Sequence, residues 1–528
     1  MTTRAILLAS ALAIAPAAFA ETPADTLVVA HTIDDIISLD PAQAFEFSGN
    51  DVNQNTYDRL VDFDPMDMEA GFKPALAESW EVGADGMSLT LKMREGVKFH
   101  SGNPVRAEDA AWSLQRAVKL NLTPAFILTQ FGFTPENVDE KITFDETSVT
   151  LHMDKAYAPS FVLNCLTANV GSVIDKETAM ANEKDGDFGH EWLNTNEAGS
   201  GPYTLAGWRP NEAVQFTAYE DYWQGAPAMK RVIVRNVPES SAQRLLLEQG
   251  DIDVARNLSP TDLDAVAKME GVKLQDEERG RILYMGLNQK DELLSNPAVI
   301  EAMKYLVDYE GIANSFLKGT FVPHQSFLPK GYLGALDDTA WTYDVEKAKK
   351  ILSDAGVSGG TITTKVRDLR EYTDVAQTLQ ASMAEAGLTL NIEQMTGAQV
   401  LDAYRAREVP IFIGEWGPDY SDPNTNAATF AFNPDNSDEA QATGLLAWRN
   451  AYAVPEAMNE ATVAATLEQD AAKRAQMYVD LQKQYQAEAP IIPLFQRIEP
   501  TGLQENVQNW NSGRAVASVM YRQVTKGE

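Results

Sequence analysis

Apolar positions along this chain follow two periods, and their balance changes from the first half to the second. Up to about residue 238 a period of two dominates. "TLVVA" (26–30) reads as a first strand, and "SWEVGADGMSLTLKMREGVKF" (79–99) as two strands around a turn at Asp85–Gly86. "SVTLHM" (148–153), "AVQFTAY" (213–219) and "RVIVRNV" (231–237) alternate likewise. Among them "AEDAAWSLQRAVKL" (107–120) has helical spacing, with Ala111, Leu114, Ala117 and Val118 on one face.

From about 239 onward helices and short strands take turns. "SSAQRLLLEQGDIDVA" (240–255) is an amphipathic helix, a stop at Gly250 and a short buried strand. "YDVEKAKKILSDAG" (343–356) places Val345, Ala348, Leu352 and Ala355 on one face, with Asp344 as N-cap and Gly356 as stop. "DVAQTLQASMAEAG" (374–387) repeats that logic and "LTLNIE" (388–393) follows as a strand. "AQVLDAYRARE" (398–408) is a short helix, "VPIFIGEW" (409–416) a buried strand, 463–487 one further helix, and "APIIPLFQ" (489–496) extended. The pattern predicts an α/β protein whose ligand chemistry sits at the carboxyl ends of strands. The change in character near 270–285, and a C-terminal stretch that returns to strand-like sequence, predict two crossings between halves.

Length agrees with more than one domain, since 528 residues exceed what a single core organises. The first twenty residues stand apart: Arg4, the apolar run "AILLASALAIA" and "AFA" before Glu21 form a cleavable export signal. No cysteine follows the cleavage point, so no lipid anchor is expected there. Arg4 is the one charged residue in that segment, so its removal takes the formal net charge from −33 to −34. Such a charge argues against nucleic acid and against anionic membrane surfaces, and favours cationic or amine-bearing solutes. Cys165 is the single cysteine, in the apolar "SFVLNCLTANV", and reads as core. The five histidines lie too far apart in sequence for a local metal motif, and no phosphate-binding glycine loop or nucleophile elbow is present. No metal and no cofactor are expected.

The stretch that invites chemistry is "GEWGPDYSDPN" (414–424), directly after a buried strand. Asp419 beside Trp416 suits an ammonium group, held by a charge-assisted hydrogen bond and an aromatic wall, with Gly417 and Pro418 shaping the backbone. Asp422 before Pro423 is turn chemistry. Glu415 points opposite Trp416 on a strand, which favours a structural role. The catalytic alternative, a secreted glycoside hydrolase, needs Glu415 and Asp419 about 5–9 Å apart with one pKa raised.

Four ordered blocks resemble the dipeptide/oligopeptide-binding family of ABC-importer solute-binding proteins, the bacterial extracellular family 5. They are "PALAESWEVGADGMSLTLKMREGVKFHSGNPVRAEDAAWSLQRA", "GSGPYTLAGWRPNEAVQFTAYEDYWQGAPAMKRVIVRNV", "YDVEKAKKILSDAG" and "GEWGPDYSDPN". The resemblance implies a two-lobed periplasmic-binding-protein fold of type II, with an extra subdomain in lobe one. Lobe one would comprise 21–282 and 494–528, with the inserted subdomain at about 53–190, and lobe two 283–493. It implies a periplasmic monomer of a Gram-negative bacterium that binds rather than catalyses. The protein would capture a di- or oligopeptide and deliver it to permease transmembrane subunits driven by a cytoplasmic ATPase. Opine, glutathione, sugar or nickel-chelate ligands are the same-fold alternatives. By the same resemblance Asp419 receives the ligand amine next to Trp416 and Gly417, Arg370 or Arg367 holds its carboxylate, and Phe45 and Phe47 contribute contacts from the other lobe.

Overall fold

A computed structural model describes residues 22–64, 67–513 and 519–527, with the backbone alone over 67–70. The export signal read at 1–20 lies outside the described residues. The strand read at "TLVVA" is Thr26–His31, which pairs in parallel with Arg231–Asn236 and with Val254–Ala255. It is central because its residues are apolar on both faces: Leu27 and Val29 pack into one core layer, Val28 and Ala30 into another.

The main sheet has nine strands, and two of them tie the molecule together. Val272–Leu287 and Ile491–Gln504 run to 16 and 14 residues and pair antiparallel along most of their length. They are long because each serves two halves. Residues 272–278 pair with 498–504, next to Val254–Ala255 and the first-half strands. Residues 282–287 pair with 491–496 on one side and with Ile411–Trp416 on the other. Ile411–Trp416 ends the strand order, so it is an edge.

Each half has its own core. In the first, a four-stranded antiparallel sheet built on Ala77–Val82, Ser88–Met93, Ser148–His152 and Ile142–Phe144 forms a separate layer. Helices Ala107–Leu120 and Pro159–Thr167 pack on it through Leu114, Val118, Phe161 and Leu166, with Phe131 between. In the second half, the parallel pair Gly360–Arg367 and Leu388–Met395 is joined by helix Arg370–Glu385, whose Val375, Leu379 and Met383 fill the layer below. Asp344 caps helix Val345–Asp354 as its sequence suggests, accepting from the Lys347 amide.

Two local expectations are corrected. The helix expected at 463–487 is two helices, Glu456–Leu467 and Ala471–Glu488. Asp470 starts the second by accepting from the Lys473 amide, and Gln469 in the break donates to the Ala156 and Tyr157 carbonyls. Helix Arg370–Glu385 also begins four residues before "DVAQ", so Arg370 lies in its first turn.

Candidate functional site

Strand Ile411–Trp416 carries the site to the boundary between the halves. Ile411 and Ile413 anchor it in one core, and Phe412 in another, where its ring stacks on Tyr404 at 3.7 Å between centroids. Gly414 permits this: a Cβ there would meet the Phe412 ring at 2.5 Å. The oxygen and amide of Ile411 bond to the Thr364 hydroxyl, which covers the start of the edge. Beyond it, the strand has no outer strand partner among the described residues.

Glu415 faces away from Trp416 and is fully engaged. Its carboxylate accepts two hydrogen bonds from Arg497, at 2.8 and 2.6 Å, and a third from the Tyr372 hydroxyl at 3.0 Å. Arg497 also bonds Glu371 at 3.0 Å. Burial alone would raise the pKa of Glu415, but the Arg497 charge and hydrogen bonds outweigh it, with Arg281 and Tyr372 adding to them, and bring it down to about 2. Glu415 is therefore a fixed anion inside a structural network.

Asp419 is the opposite case. It is half-buried, its amide donates to the Thr425 hydroxyl at 3.0 Å, and it forms no ion pair among the described residues. Burial pushes its carboxyl up to about 7, with the Thr425 hydroxyl opposing only part of the rise. A carboxylate held out of water with no cation beside it is prepared for one that arrives. Trp416, next to it, has a buried indole N–H with no acceptor.

The next residues dock the two halves against each other. Tyr420 is 3% exposed and sits in the first-half core, 6.0 Å from the Phe161 ring. Asp422 is buried and bidentate to Arg474 at 2.8 and 2.6 Å, and also accepts from Asn164 at 3.2 Å. Arg474 in turn donates to Ser160 at 3.1 Å. Asp422 also accepts from the Asn424 amide at 2.9 Å, the turn role read in the sequence.

The structure brings Phe47 to this strand and keeps Phe45 from it. Phe47 opens helix Phe47–Thr56 and is 41% exposed. A Cβ on Gly417 would lie 3.4 Å from both its ring and the Arg281 Cγ. Phe45 instead packs edge-on against Phe126 at 6.0 Å, on the first-half core. Arg370 and Arg367 stand apart from Asp419. The Arg370 side chain is 86% exposed and leans on Asp374 at 3.4 Å. Arg367 is exposed at the end of its strand, against Gly397. Arg370 lines a groove of about 960 Å³ between the halves, with Arg497 and Lys318 on one side and Ser240, Asn257 and Ser259 on the other. Sequence reasoning passed over Arg281 and Arg497. Their one signal is a charge at the border of an apolar strand segment, in "RILYMGL" and "LFQRIEP".

Residues 71–438 match the family described as bacterial extracellular solute-binding proteins, family 5 Middle. The chain is 29% identical over 420 residues to the probable D,D-dipeptide-binding periplasmic protein of Escherichia coli, covering 77% of this chain and 78% of that one. It is 27% identical over 411 residues to heme-binding protein A of Haemophilus influenzae, covering 74% of each. A solved dipeptide-binding protein from a Pseudoalteromonas species, in complex with Met-Leu, superposes with a TM-score of 0.77 at 21% identity. That superposition covers 95% of this chain and 100% of the other.

Proposed function

Because this chain belongs to the bacterial extracellular solute-binding proteins of family 5, a family of transport receptors and not of enzymes, we propose that it captures a short peptide between its lobes for an ABC importer. The observation that carries the reading is Asp419, a half-buried carboxylate raised to about 7 with no cationic partner among the described residues. It stands just past the end of an edge strand that has no outer strand partner among the described residues. An extended peptide can add to such an edge through its main chain and place its ammonium on the carboxylate. The D,D-dipeptide-binding relative supports the choice of a peptide.

In this reading lobe one is 21–282 with 494–528, its subdomain about 53–190, and lobe two 283–493. The leader 1–20 is removed on export, and the mature protein works as a periplasmic monomer. Ligand touching both lobes stabilises the closed form by its differential affinity, and the closed form engages permease subunits coupled to a cytoplasmic ATPase. Native mass spectrometry of the freshly purified protein is the test. A retained mass equal to a short peptide, lost on Asp419→Asn, is expected. A retained sugar, opine or nickel chelate without a free amine, or a peptide held equally by Asp419→Asn, refutes the reading.

A further inference from the structure

The connecting strand Val272–Leu287 is interrupted where the halves meet. Glu278 pairs with Ile498 and Ile282 with Gln496, so Arg279, Gly280 and Arg281 stand opposite Arg497 alone. A bulge bends its strand and re-aims the side chains it carries, and bulges concentrate beside functional sites. The two arginines of this one have different fates. Arg279 is buried, pairs with Glu499 at 3.0 Å, and donates to the carbonyls of Ser512 and Gly513. Arg281 turns toward the site. Its guanidinium carbon lies 3.6 Å from the centre of the Phe47 ring, and its stem runs beside Gly417.

Among the described residues Arg281 makes no hydrogen bond and no ion pair. The two carboxylates that act on it electrostatically are Glu415 and Glu499. Both are taken, Glu415 by Arg497 and Tyr372, and Glu499 by Arg256 and Arg279. Phe47 covers one face of the guanidinium, but a ring face accepts little from the in-plane N–H groups. A half-buried guanidinium whose donors meet no acceptor among the described residues is available to the anion of a ligand. The expected carboxylate holders offer less: Arg370 is in solvent beside Asp374, and Arg367 is exposed against Gly397.

We propose that Arg281 is the anion-holding residue of the solute site, and that it makes the ligand a short zwitterion with its ammonium on Asp419 and its carboxylate on Arg281. The inference rests on the reading of Asp419 above. Position supports the pairing: Arg281 precedes Ile282, the cross-strand partner of Trp416, which places it across from Gly417, two residues before Asp419. Planar bidentate pairing of guanidinium with carboxylate would then satisfy the donors that the protein leaves open.

Isothermal titration with L,L- and D,D-alanyl-alanine, their C-terminal amides and their N-acetyl derivatives tests the assignment, using wild type, Arg281→Met and Arg281→Lys. Wild type is expected to bind at least one free dipeptide tenfold or more tightly than its amide. Arg281→Met should remove that preference by weakening the free acid alone, and Arg281→Lys should restore part of it. Because amide binding is the internal reference for each variant, a misfolded variant would lose both ligands and is replaced by Arg281→Gln. Equal affinity of wild type for acid and amide, or a preference that survives Arg281→Met, overturns the role of Arg281 and leaves Asp419 untouched. Equal affinity for free and N-acetylated dipeptides overturns the Asp419 reading instead, and failure of all six ligands to bind wild type overturns both.

Discussion

Acidification reads Asp419 directly, because its carboxyl changes charge within an accessible range. Burial holds it at about 7, and a bound ammonium favours its ionised form. Proton and ligand amine therefore compete for the same carboxylate. Above pH 7 the group is already ionised and affinity gains nothing more; below it, each unit costs tenfold, about 1.4 kcal/mol. The ligand supplies the opposite limb, because a free α-amino group loses its proton near about 8. Affinity should thus peak between about pH 7 and 8 and fall roughly twentyfold from pH 7.5 to 5.5. Glu415, at about 2, stays ionised throughout. Isothermal titration of a dipeptide at constant ionic strength, in buffers of different ionisation enthalpy, measures both affinity and the proton released. Asp419→Asn should abolish the acid limb and leave a weak affinity that no longer depends on pH below 7. A wild-type affinity that is flat from pH 5.5 to 7.5, or an acid limb that persists in Asp419→Asn, refutes the reasoning.

Two further predictions concern the surroundings of that carboxylate. Glu415→Gln removes the anion paired with Arg497, and should cost about 3 kcal/mol in urea denaturation; a loss below about 1 kcal/mol would place Glu415 among pairs of little weight. Tyr420→Ala withdraws an aromatic ring from the first-half core, at a cost on the order of 3 kcal/mol shared between folding and lobe contact. It should weaken ligand binding and enlarge the particle in small-angle scattering, and no change in either measurement would show that this contact does not hold the lobes together.

Much of the local architecture was legible from periodicity. Helix Val345–Asp354 with its Asp344 cap, the hairpin around Asp85–Gly86 and the edge strand Ile411–Trp416 each depend on neighbours a few residues away. The same signal failed where a tertiary contact intervened. The long C-terminal helix breaks at Gln469, which bonds carbonyls more than three hundred residues earlier, at a sequence separation of 313 from Ala156.

The blocks of family-like sequence and the acidic turn identified Asp419 and Trp416 as a pair worth examining, and the alternation of a strand already set Glu415 on the other face. What the chain alone determined, then, is the kind of protein and the stretch in which acidic and aromatic residues gather after a buried strand. Which charges are satisfied was decided only by folding. Glu415 is ionised and silent because Arg497, 82 residues away, lies against it. Asp419 is raised because burial takes it from water, and no arginine or lysine among the described residues pairs with it to offset that. Arg281 is open because a bulge turns it from the carboxylates that Arg497 and Arg279 have taken. Charge pairing acts over a few ångströms of space between residues far apart in sequence, and no local pattern records which partner arrives.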